Sequence, residues 1–193
     1  MKSSPASVSG GIVTERLELV PATSDMVRAA LDGPGALGAS LGASVPSTWP
    51  PDYLDATSLQ FTLDRLAEDP DQAGWWLHFV VLRGDDGGRT LIGSAGYKGR
   101  PSADGIVEVG YGIVSDHRRR GYASEAVRGL LERAFALPEV ERVIAETLPE
   151  LTPSIGVLRK CGFRPIRGGS EPAVIRFELG RAAYTGRGGA RIE

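Results

Sequence analysis

The first third of the chain shows one strand pattern followed by two helix patterns. The stretch "TERLELVPA" (residues 14–22) alternates apolar and polar positions, which predicts a strand with one buried face. "SDMVRAAL" (24–31) and "SLQFTLDRLAED" (58–69) instead space their apolar residues as amphipathic helices do. Residues 32–54, between them, are rich in turn-forming residues, and we predict no regular element there.

The middle of the chain predicts an antiparallel meander. Three apolar runs, at 75–83, 90–99 and 106–114, are separated by the turn sequences "GDDGG" and "SADG". Short runs at regular spacing, joined by tight turns, are typical of consecutive antiparallel strands.

The last third predicts a helix, a strand, a second helix and a final pair of strands. "RVIAETL" (142–148) is the strand, "TPSIGVLRKCGF" (152–163) is the second helix with Gly162 as its stop, and the chain of elements ends in "AVIRFEL" (173–179). The overall order, β-α-α-β-β-β-α-β-α-β-β, mixes hairpin and crossover connections, so we predict an α/β fold around one sheet with about four helices. The helix predicted before "RVIAETL" has apolar residues at 3.6-residue spacing: Ala123, Ala126, Val127, Leu130, Leu131, Ala134 and Phe135.

Composition indicates a single soluble domain. With 193 residues, of which 41% are apolar and 24% charged, the chain is long enough for one buried core. We expect the domain to cover 12–179, between a loose leader at 1–11 and a Gly/Arg-rich tail or edge strand at 180–193. The lone Cys161 forms no internal disulfide and fits a cytoplasmic protein. We see neither a signal peptide nor an apolar run that could span a bilayer.

A local anion-binding site is predicted in "SDHRRRGYASEAV" (115–127). The formal net charge of −2 provides no general attraction for nucleic acid or membranes, so an anion site must be local. A loop that enters a helix presents free backbone N–H groups and the positive end of the helix dipole. Gly121 allows close approach of a ligand, and the arginines at 118–120 add charge, which favours a pyrophosphate. The alternative is a solvated run in an arginine-rich chain.

Two other phosphate-binding motifs fit less well. The chain has no G-x-x-x-x-G-K-[ST] sequence, so it is not a P-loop protein. "GPGALG" (33–38) matches G-x-G-x-x-G, but it follows a helix rather than a strand and contains Pro34. We interpret it as a chance match that opens no helix.

Several motifs lie in the order and spacing of one known family. "RRRGYA" (118–123) matches the signature [QR]-x-x-G-x-[GA], and "TERLEL", "LIGSAGYKG", "VEVGYGIVSDHRRRGYASEAV" and "TPSIGVLRKCGF" accompany it. Between Thr14 and Leu179 the chain resembles the GCN5-related N-acetyltransferase (GNAT) superfamily, most of all the branch of ribosomal-protein N-terminal acetyltransferases. This resemblance implies an acyl-CoA N-acyltransferase fold, whose mixed, mostly antiparallel sheet has a central splay.

The resemblance also implies acetyl-coenzyme A as cosubstrate. Its pantetheine arm would lie between the strand that ends at Ile113 and Val114 and the strand "VIAETL", with an N–H near Ile113 facing the thioester oxygen. We expect no metal site, because the two histidines and one cysteine lie far apart in the sequence. The residues implied to hold the diphosphate are Arg118, Arg119, Arg120, Gly121, Tyr122, Ala123 and Ser124.

Acetyl transfer to an amine also requires a proton acceptor. Strand parity places Glu108, Gly110 and Gly112 on one face of 106–114, which leaves an open slot beside a carboxylate. Several family members carry a base at the position of Glu108, so it is our first candidate, although it could equally be a surface glutamate paired with an arginine. Glu146, on the partnering strand, is the reserve candidate.

The leaving thiolate requires a proton donor. Many relatives place a tyrosine on the last helix where this chain has Leu158, whereas others use a serine at the position of Ser154. We favour Ser154 as proton donor or as hydrogen-bond partner of the thiolate, with backbone capping as the alternative. Leu151 replaces an asparagine that usually contacts the cofactor, and it cannot form that hydrogen bond.

We therefore predict an N-acetyltransferase that passes acetyl directly to a primary amine, such as a protein N-terminus or a small molecule. The alternative is a non-catalytic acyl-CoA binding or sensing module, which Leu151 and the missing tyrosine favour. We expect no nucleic-acid or membrane partner, and a homodimer is an option. Four aromatic residues are candidates either for the wall of an acceptor pocket or for the core: Trp49, Tyr53, Trp75 and Trp76.

Overall fold

The computed structural model describes residues 11–188 and contains one eight-stranded sheet. The strands lie in the order β1-β2-β3-β4-β5-β6-β8-β7. Their bounds are β1 Ile12–Val13, β2 Leu17–Pro21, β3 Leu77–Arg83, β4 Arg89–Tyr97, β5 Ile106–Ile113, β6 Arg142–Thr147, β7 Arg164–Ile166 and β8 Ile175–Gly180.

Helices cover both faces of this sheet, and two short 3₁₀ turns, Pro70–Trp75 and Ser115–His117, precede β3 and α4. The α-helices are α1 Ser24–Asp32, α2 Pro34–Leu41, α3 Ala56–Glu68, α4 Tyr122–Phe135, α5 Thr152–Cys161 and α6 Arg181–Gly188.

The sheet splays apart between β5 and β6. Strands β1 to β5 form antiparallel neighbours, as the meander pattern predicts. β5 and β6 run parallel, but they pair only where 106–108 meet 142–144. Beyond that point β5 remains bonded to β4, and β6 remains bonded to β8. A wedge therefore opens between the last halves of β5 and β6, which confirms the predicted central splay.

Two hydrophobic clusters form the core, one on each face of the sheet. The larger cluster packs α4 and α5 against β5 and β6, with Val127, Leu130 and Leu158 fully buried. The smaller cluster packs α1, α2 and α3 against β3 and β4, and Phe79 belongs to it. Val80, the next residue along β3, belongs to the larger cluster, as expected when successive side chains point to opposite faces.

Local signals mark the start of α3 and the end of α5. Asp55 accepts a hydrogen bond from the backbone N–H of Ser58, while the Ser58 hydroxyl accepts one from the N–H of Asp55, so α3 begins with a capping box. Gly162 lies in the left-handed region with φ of 98° and ends α5, which confirms the predicted stop.

Two helices were not predicted. Residues 34–41 form α2, although we predicted an irregular segment and no helix after "GPGALG". Pro34 occupies the first turn, Gly42 caps the other end, and burial of Leu37 and Leu41 compensates for the low helix propensity of the glycines. Residues 181–188 form α6 instead of the edge strand or tail that we expected.

Arg181 fixes the start of α6. Its guanidinium donates to the carbonyl oxygens of Phe135, Leu137 and Val140, so it ties the helix to the end of α4. Tyr184, one turn further on, stacks on Phe135 with ring centroids 4.6 Å apart. The remainder of the predicted tail, 189–193, and residues 1–10 of the predicted leader lie outside the described residues.

The predicted strand at 75–83 begins two residues later than expected. Asp69 accepts a hydrogen bond from the N–H of Asp71, and Pro70 opens a 3₁₀ turn that includes Trp75. The pair "WW" therefore lies at a helix end rather than in β3.

Candidate active site

The mouth of α4 is an open helix N-terminus. Gly121 is the N-cap residue, has a φ of 86°, and no side chain caps the helix there. The first N–H groups of a helix have no partner within the helix, so they are available to a ligand and carry the positive end of the dipole. Arg119 also lies in the left-handed region, with φ of 59°, which gives the loop its tight path.

A half-buried carboxylate holds this loop in place. Glu125 accepts hydrogen bonds from the Thr14 hydroxyl (2.6 Å), from the Arg16 N–H (2.7 Å) and from the Arg16 guanidinium (2.8 Å). Burial alone would raise the pKa of Glu125, but these hydrogen bonds and the Arg16 charge hold it below its ordinary value. Arg16 also donates to the Arg120 carbonyl and covers the Tyr122 ring at 4.5 Å. The loop therefore does not depend on a ligand for its shape.

Arg16 and Glu125 were not among the predicted site residues. Both lie in motifs that carry the family resemblance, "TERLEL" and "SEAV". Their pairing joins positions 109 residues apart, so no local pattern could show it.

The three consecutive arginines have different surroundings. Arg118 donates from Nε to the Ile113 carbonyl (2.8 Å) and forms an ion pair with Asp52 (2.7 Å). It thus links the end of β5 to the loop before α3. The side chains of Arg119 and Arg120 are exposed and form no hydrogen bond or ion pair with any residue in 11–188. Of the three, these two are available to an anion at the mouth of α4.

The remaining predicted cofactor residues lie along the path from β5 into α4. Ile113 and Val114 are buried at the end of β5, and the Val114 N–H donates to the Ile92 carbonyl. Tyr122 and Ser124 are buried in the first turn of α4, while Ala123 is half-buried. The Val114 side chain is fully buried and its N–H is occupied within the sheet, so the cofactor contact predicted for Val114 stays a prediction.

Glu108 borders a slot in the sheet that has no side chains. A Cβ on Gly110 would meet nothing within 4 Å, and a Cβ on Gly112 would lie 3.2 Å from Pro51. The loop at 51–52 thus covers one end of the slot. Glu108, 20% exposed, forms an ion pair with Lys98 at the other end. The predicted parity of β5 is confirmed, because Val107, Val109 and Ile113 lie in the cluster on the opposite face.

Glu146, the reserve base, is occupied by structural contacts. Its carboxylate accepts from the Ser170 N–H and hydroxyl, and it pairs with Arg176 of β8 at 2.7 Å. Burial would raise the pKa of Glu146, but the hydrogen bonds from Ser170 and Arg176 outweigh burial and lower it. Its side chain is only 7% exposed. These contacts favour a role in joining β6 to β8.

Ser154 lies in the first turn of α5 and contacts a tyrosine of β5. The Tyr111 hydroxyl is 3.0 Å from the Ser154 carbonyl oxygen and 3.1 Å from Ser154 Oγ. Burial raises the pKa of Tyr111 to about 12, although the hydrogen bond with Ser154 opposes this shift. Leu158, one turn later, is fully buried, and Leu151 is the N-cap residue of α5 without a side-chain cap.

Only one of the four aromatic candidates is exposed. Trp49 and Trp76 pack against the smaller cluster, where Trp49 contacts the ring of Phe79. Trp76 also contacts the exposed ring of Phe61. Trp75 packs against the larger cluster. Tyr53, in contrast, is 74% exposed and has a φ of 66°, a conformation that is rare for a bulky side chain.

Two negative findings apply to residues 11–188. No three histidine, cysteine or acidic side chains of this part are grouped so that they could hold a metal ion. No helix within it combines the length and apolarity needed to cross a membrane.

A family model described as the acetyltransferase (GNAT) domain matches residues 16–164. This chain belongs to the GNAT acetyltransferase family. The match includes the mouth of α4, the wedge between β5 and β6, and Ser154.

Two Bacillus proteins are similar to this GNAT domain in sequence. It is 27% identical over 126 residues to the uncharacterized N-acetyltransferase YjdG of Bacillus subtilis (strain 168), covering 64% of this chain and 71% of that protein. It is 35% identical over 74 residues to the uncharacterized N-acetyltransferase p20 of Bacillus licheniformis, covering 38% of this chain. That second match spans 42% of the length of p20.

Solved structures share the GNAT fold. The ribosomal-protein-S5-alanine acetyltransferase from Vibrio fischeri superimposes with a TM-score of 0.60 at 19% identity, covering 89% of this chain and 96% of that one. The microcin C7 self-immunity acetyltransferase MccE, in complex with acetyl-CoA and AMP, superimposes with a TM-score of 0.62 at 11% identity. That match covers 92% of this chain and 99% of MccE.

Proposed function

We propose that this protein transfers acetyl from acetyl-CoA to a primary amine in a ternary complex. The observation that carries the proposal is the placement of an uncapped helix mouth at Gly121 directly after β5, the strand that forms one edge of the wedge. Family membership supports the use of acetyl-CoA, and the solved complex of MccE contains it. That the acceptor is a primary amine, and that acetyl passes to it directly, are parts of the proposal.

The residues at the mouth of α4 fit a diphosphate. Backbone N–H groups from Arg119 to Ser124 would hold it, because a helix N-terminus binds anions through both its free N–H groups and its dipole. The side chains of Arg119 and Arg120 have no other partner among the described residues and would add charge. Gly121 leaves the approach open, since the one described neighbour that a Cβ there would meet within 4 Å is the end of the Arg16 side chain, with Nη2 at 3.4 Å.

The wedge fits an extended arm. β5 and β6 lose contact after 108 and 144, so each has an edge that faces the gap. Coenzyme A bound there would supply the acetyl group as a thioester, and the chain would align it with the amine. Alignment of two reactants can lower a barrier by about 7 kcal/mol or more.

Glu108 is our proposed proton acceptor. Its carboxylate borders the open slot at Gly110, on the sheet face opposite the large cluster. An amine in this slot would approach the wedge from the side of the loop at 51–53, and Glu108 would accept its proton directly or through water. Glu146 is a weaker candidate, because both its oxygens already accept hydrogen bonds.

Ser154 is our proposed proton donor to the leaving sulfur. Its hydroxyl lies at the N-terminus of α5, where the helix dipole also favours a developing thiolate. Leu151 would add only apolar contact at this point, in place of the amide hydrogen bond expected from the family resemblance.

The experiment has two stages. Acetyl-CoA should raise the melting temperature of the full-length protein, whereas acetyl-pantetheine, which lacks the diphosphate, should raise it much less. Free-thiol release is then measured with spermidine, kanamycin, free amino acids and a peptide with an N-terminal serine or alanine. Amine-dependent thiol release supports the proposal. A melting temperature that acetyl-CoA leaves unchanged would contradict it, and stabilisation without thiol release would favour a binding module.

A further inference from the structure

Tyr111 connects β5 to α5 at the wedge. It lies in the half of β5 that has separated from β6, where its register partner is Ala95 of β4. Its ring belongs to the face covered by α4 and α5. From there its hydroxyl reaches the first turn of α5, which follows β6. The contact therefore joins the two sides of the gap that would hold the thioester.

Ser154 has no other hydrogen-bond partner for its hydroxyl within residues 11–188. A serine hydroxyl has one proton and can accept from a second donor. When the Tyr111 phenol donates to Ser154 Oγ, the serine proton is free to point toward a third atom. The only other partner of the phenol in this range is the Ser154 carbonyl, which accepts from the phenol at 3.0 Å. The phenol therefore exchanges this hydrogen bond for one to Ser154 Oγ, 3.1 Å away, when it donates to the serine.

Tyr97 shows that a buried tyrosine of this sheet face need not contact α5. Its hydroxyl donates to the Leu130 carbonyl of α4 at 2.7 Å and so links β4 to α4. Burial raises its pKa to about 12, as it does for Tyr111. Tyr97 is buried and Tyr111 is half-buried, so the two residues share the sheet face and the raised pKa but differ in what the hydroxyl contacts.

We propose that Tyr111 positions Ser154 and resupplies its proton, so that the two hydroxyls act as one donor to the leaving sulfur. This inference rests on the proposed acetyl transfer and adds to it the residue through which Ser154 works. Leu158 on α5 is apolar and fully buried, so it cannot donate a proton. In this proposal the hydroxyl of Tyr111 on β5 supplies the proton instead.

The proton count of this step balances. The amine nitrogen forms a bond to the acetyl carbon and gives up one proton to Glu108 or water, while the carbon–sulfur bond breaks and its electron pair leaves with sulfur. Ser154 gives its hydroxyl proton to that sulfur. The phenol of Tyr111 passes its proton to Ser154 Oγ, and the phenolate recovers one proton from water. No oxidant or further reactant is needed.

The test compares Tyr111→Phe, Ser154→Ala and the double variant, with acetyl-CoA and the amine that gives the fastest thiol release. Each single variant should lower kcat by about 10- to 100-fold, while the KM for acetyl-CoA changes less than about threefold. The double variant should be little slower than Ser154→Ala, because a residue that acts through another adds nothing once that partner is gone.

Tyr97→Phe is the matched control. It removes the same hydroxyl from the same sheet face and should lower the melting temperature while leaving kcat within about twofold. If Tyr111→Phe behaves like Tyr97→Phe, or if the losses of Tyr111→Phe and Ser154→Ala multiply in the double variant, Tyr111 is only structural and the inference fails.

The two proposals fail in different ways. If the wild-type protein binds acetyl-CoA but releases no thiol with any amine, the acetyl transfer fails and the inference fails with it. If the wild type turns over and Tyr111→Phe turns over equally fast, the inference alone is overturned. Preserved stabilisation of Tyr111→Phe by acetyl-CoA shows that the lost rate does not come from lost binding.

Discussion

The mouth of α4 and the wall around Glu108 are built in different ways. Consecutive residues from Arg118 to Ser124 form the mouth, with an αL glycine before the helix, and the contact between Arg16 and Glu125 holds it in place. The wall around Glu108 brings together Lys98, the glycines of β5 and the loop at 51–53 from three separate parts of the chain. Local sequence therefore specifies where a diphosphate would bind, whereas the acceptor side depends on tertiary packing.

One exposed ion pair connects the two regions. Arg118 Nη2 lies 2.7 Å from Asp52, with side chains 44% and 68% exposed. Exposed pairs of this kind contribute about 0 to 1 kcal/mol. We therefore expect changes in one region to leave the other largely intact, and the following predictions test this separation.

The largest expected effect comes from Glu108. Glu108→Gln should lower kcat by about 100-fold or more, because the slot loses its proposed proton acceptor, while the dissociation constant of acetyl-CoA stays the same. Steady-state thiol release and calorimetric titration measure the two quantities.

Glu146→Gln is the matched control for Glu108→Gln. Because Glu146 joins β6 to β8 through Arg176, its amide variant should lower the free energy of unfolding by about 1 to 3 kcal/mol and keep kcat within a few-fold. A large loss of kcat in Glu146→Gln, with Glu108→Gln active, would reverse the assignment.

A smaller effect is expected from the contact that holds the mouth of α4. Glu125→Gln should lower the free energy of unfolding by about 1 to 3 kcal/mol at neutral pH, because Arg16 loses its charged partner. It should also weaken acetyl-CoA binding without changing the KM for the amine. Denaturant unfolding and calorimetry measure these effects.

The pH dependence of the Glu125 contact has a defined sign. Folding lowers the pKa of Glu125 below its ordinary value of 4.5, so its stabilisation is fully present above that value. As the pH falls through the lowered pKa, the carboxylate becomes protonated in the folded state and the stabilisation is lost. The difference in unfolding free energy between wild type and Glu125→Gln should therefore shrink below pH 4.5. A constant difference would contradict the assignment.

The smallest effect should come from the connection between the regions. Asp52→Asn removes the ion pair with Arg118 and should raise the KM for the amine by no more than about fivefold, the equivalent of about 1 kcal/mol. Acetyl-CoA affinity should stay unchanged. A large loss of acetyl-CoA affinity would mean that the two regions are not separable.

Sequence patterns predict the meander, α4 and α5 because each has a local signal of its own. The apolar spacing of α4 and the stop at Gly162 are examples. Helix α2 cannot be predicted in this way, since its glycines and Pro34 are typical of a turn segment. Burial of Leu37 and Leu41 against residues distant in the sequence stabilises it as a helix.

The candidate site divides in the same way. Gly121 and Ser154 can be selected from the sequence because motifs surround them. Arg16, Lys98 and Tyr111 cannot, since each acquires its role from a partner that lies 10 to 109 residues away. Glu146 shows the opposite case. Its position on the strand suggests a proton acceptor, but its carboxylate is bonded to Ser170 and Arg176.

The most direct test of the central claim is calorimetric titration of acetyl-CoA into wild type, Gly121→Asp and Gly121→Asn. Asparagine tolerates the left-handed conformation and carries no charge, so it separates backbone strain from electrostatics. We predict that Gly121→Asp weakens binding by at least about 30-fold, or about 2 kcal/mol, and that Gly121→Asn weakens it far less. Equal affinity of Gly121→Asp and wild type would show that the diphosphate does not bind at the mouth of α4.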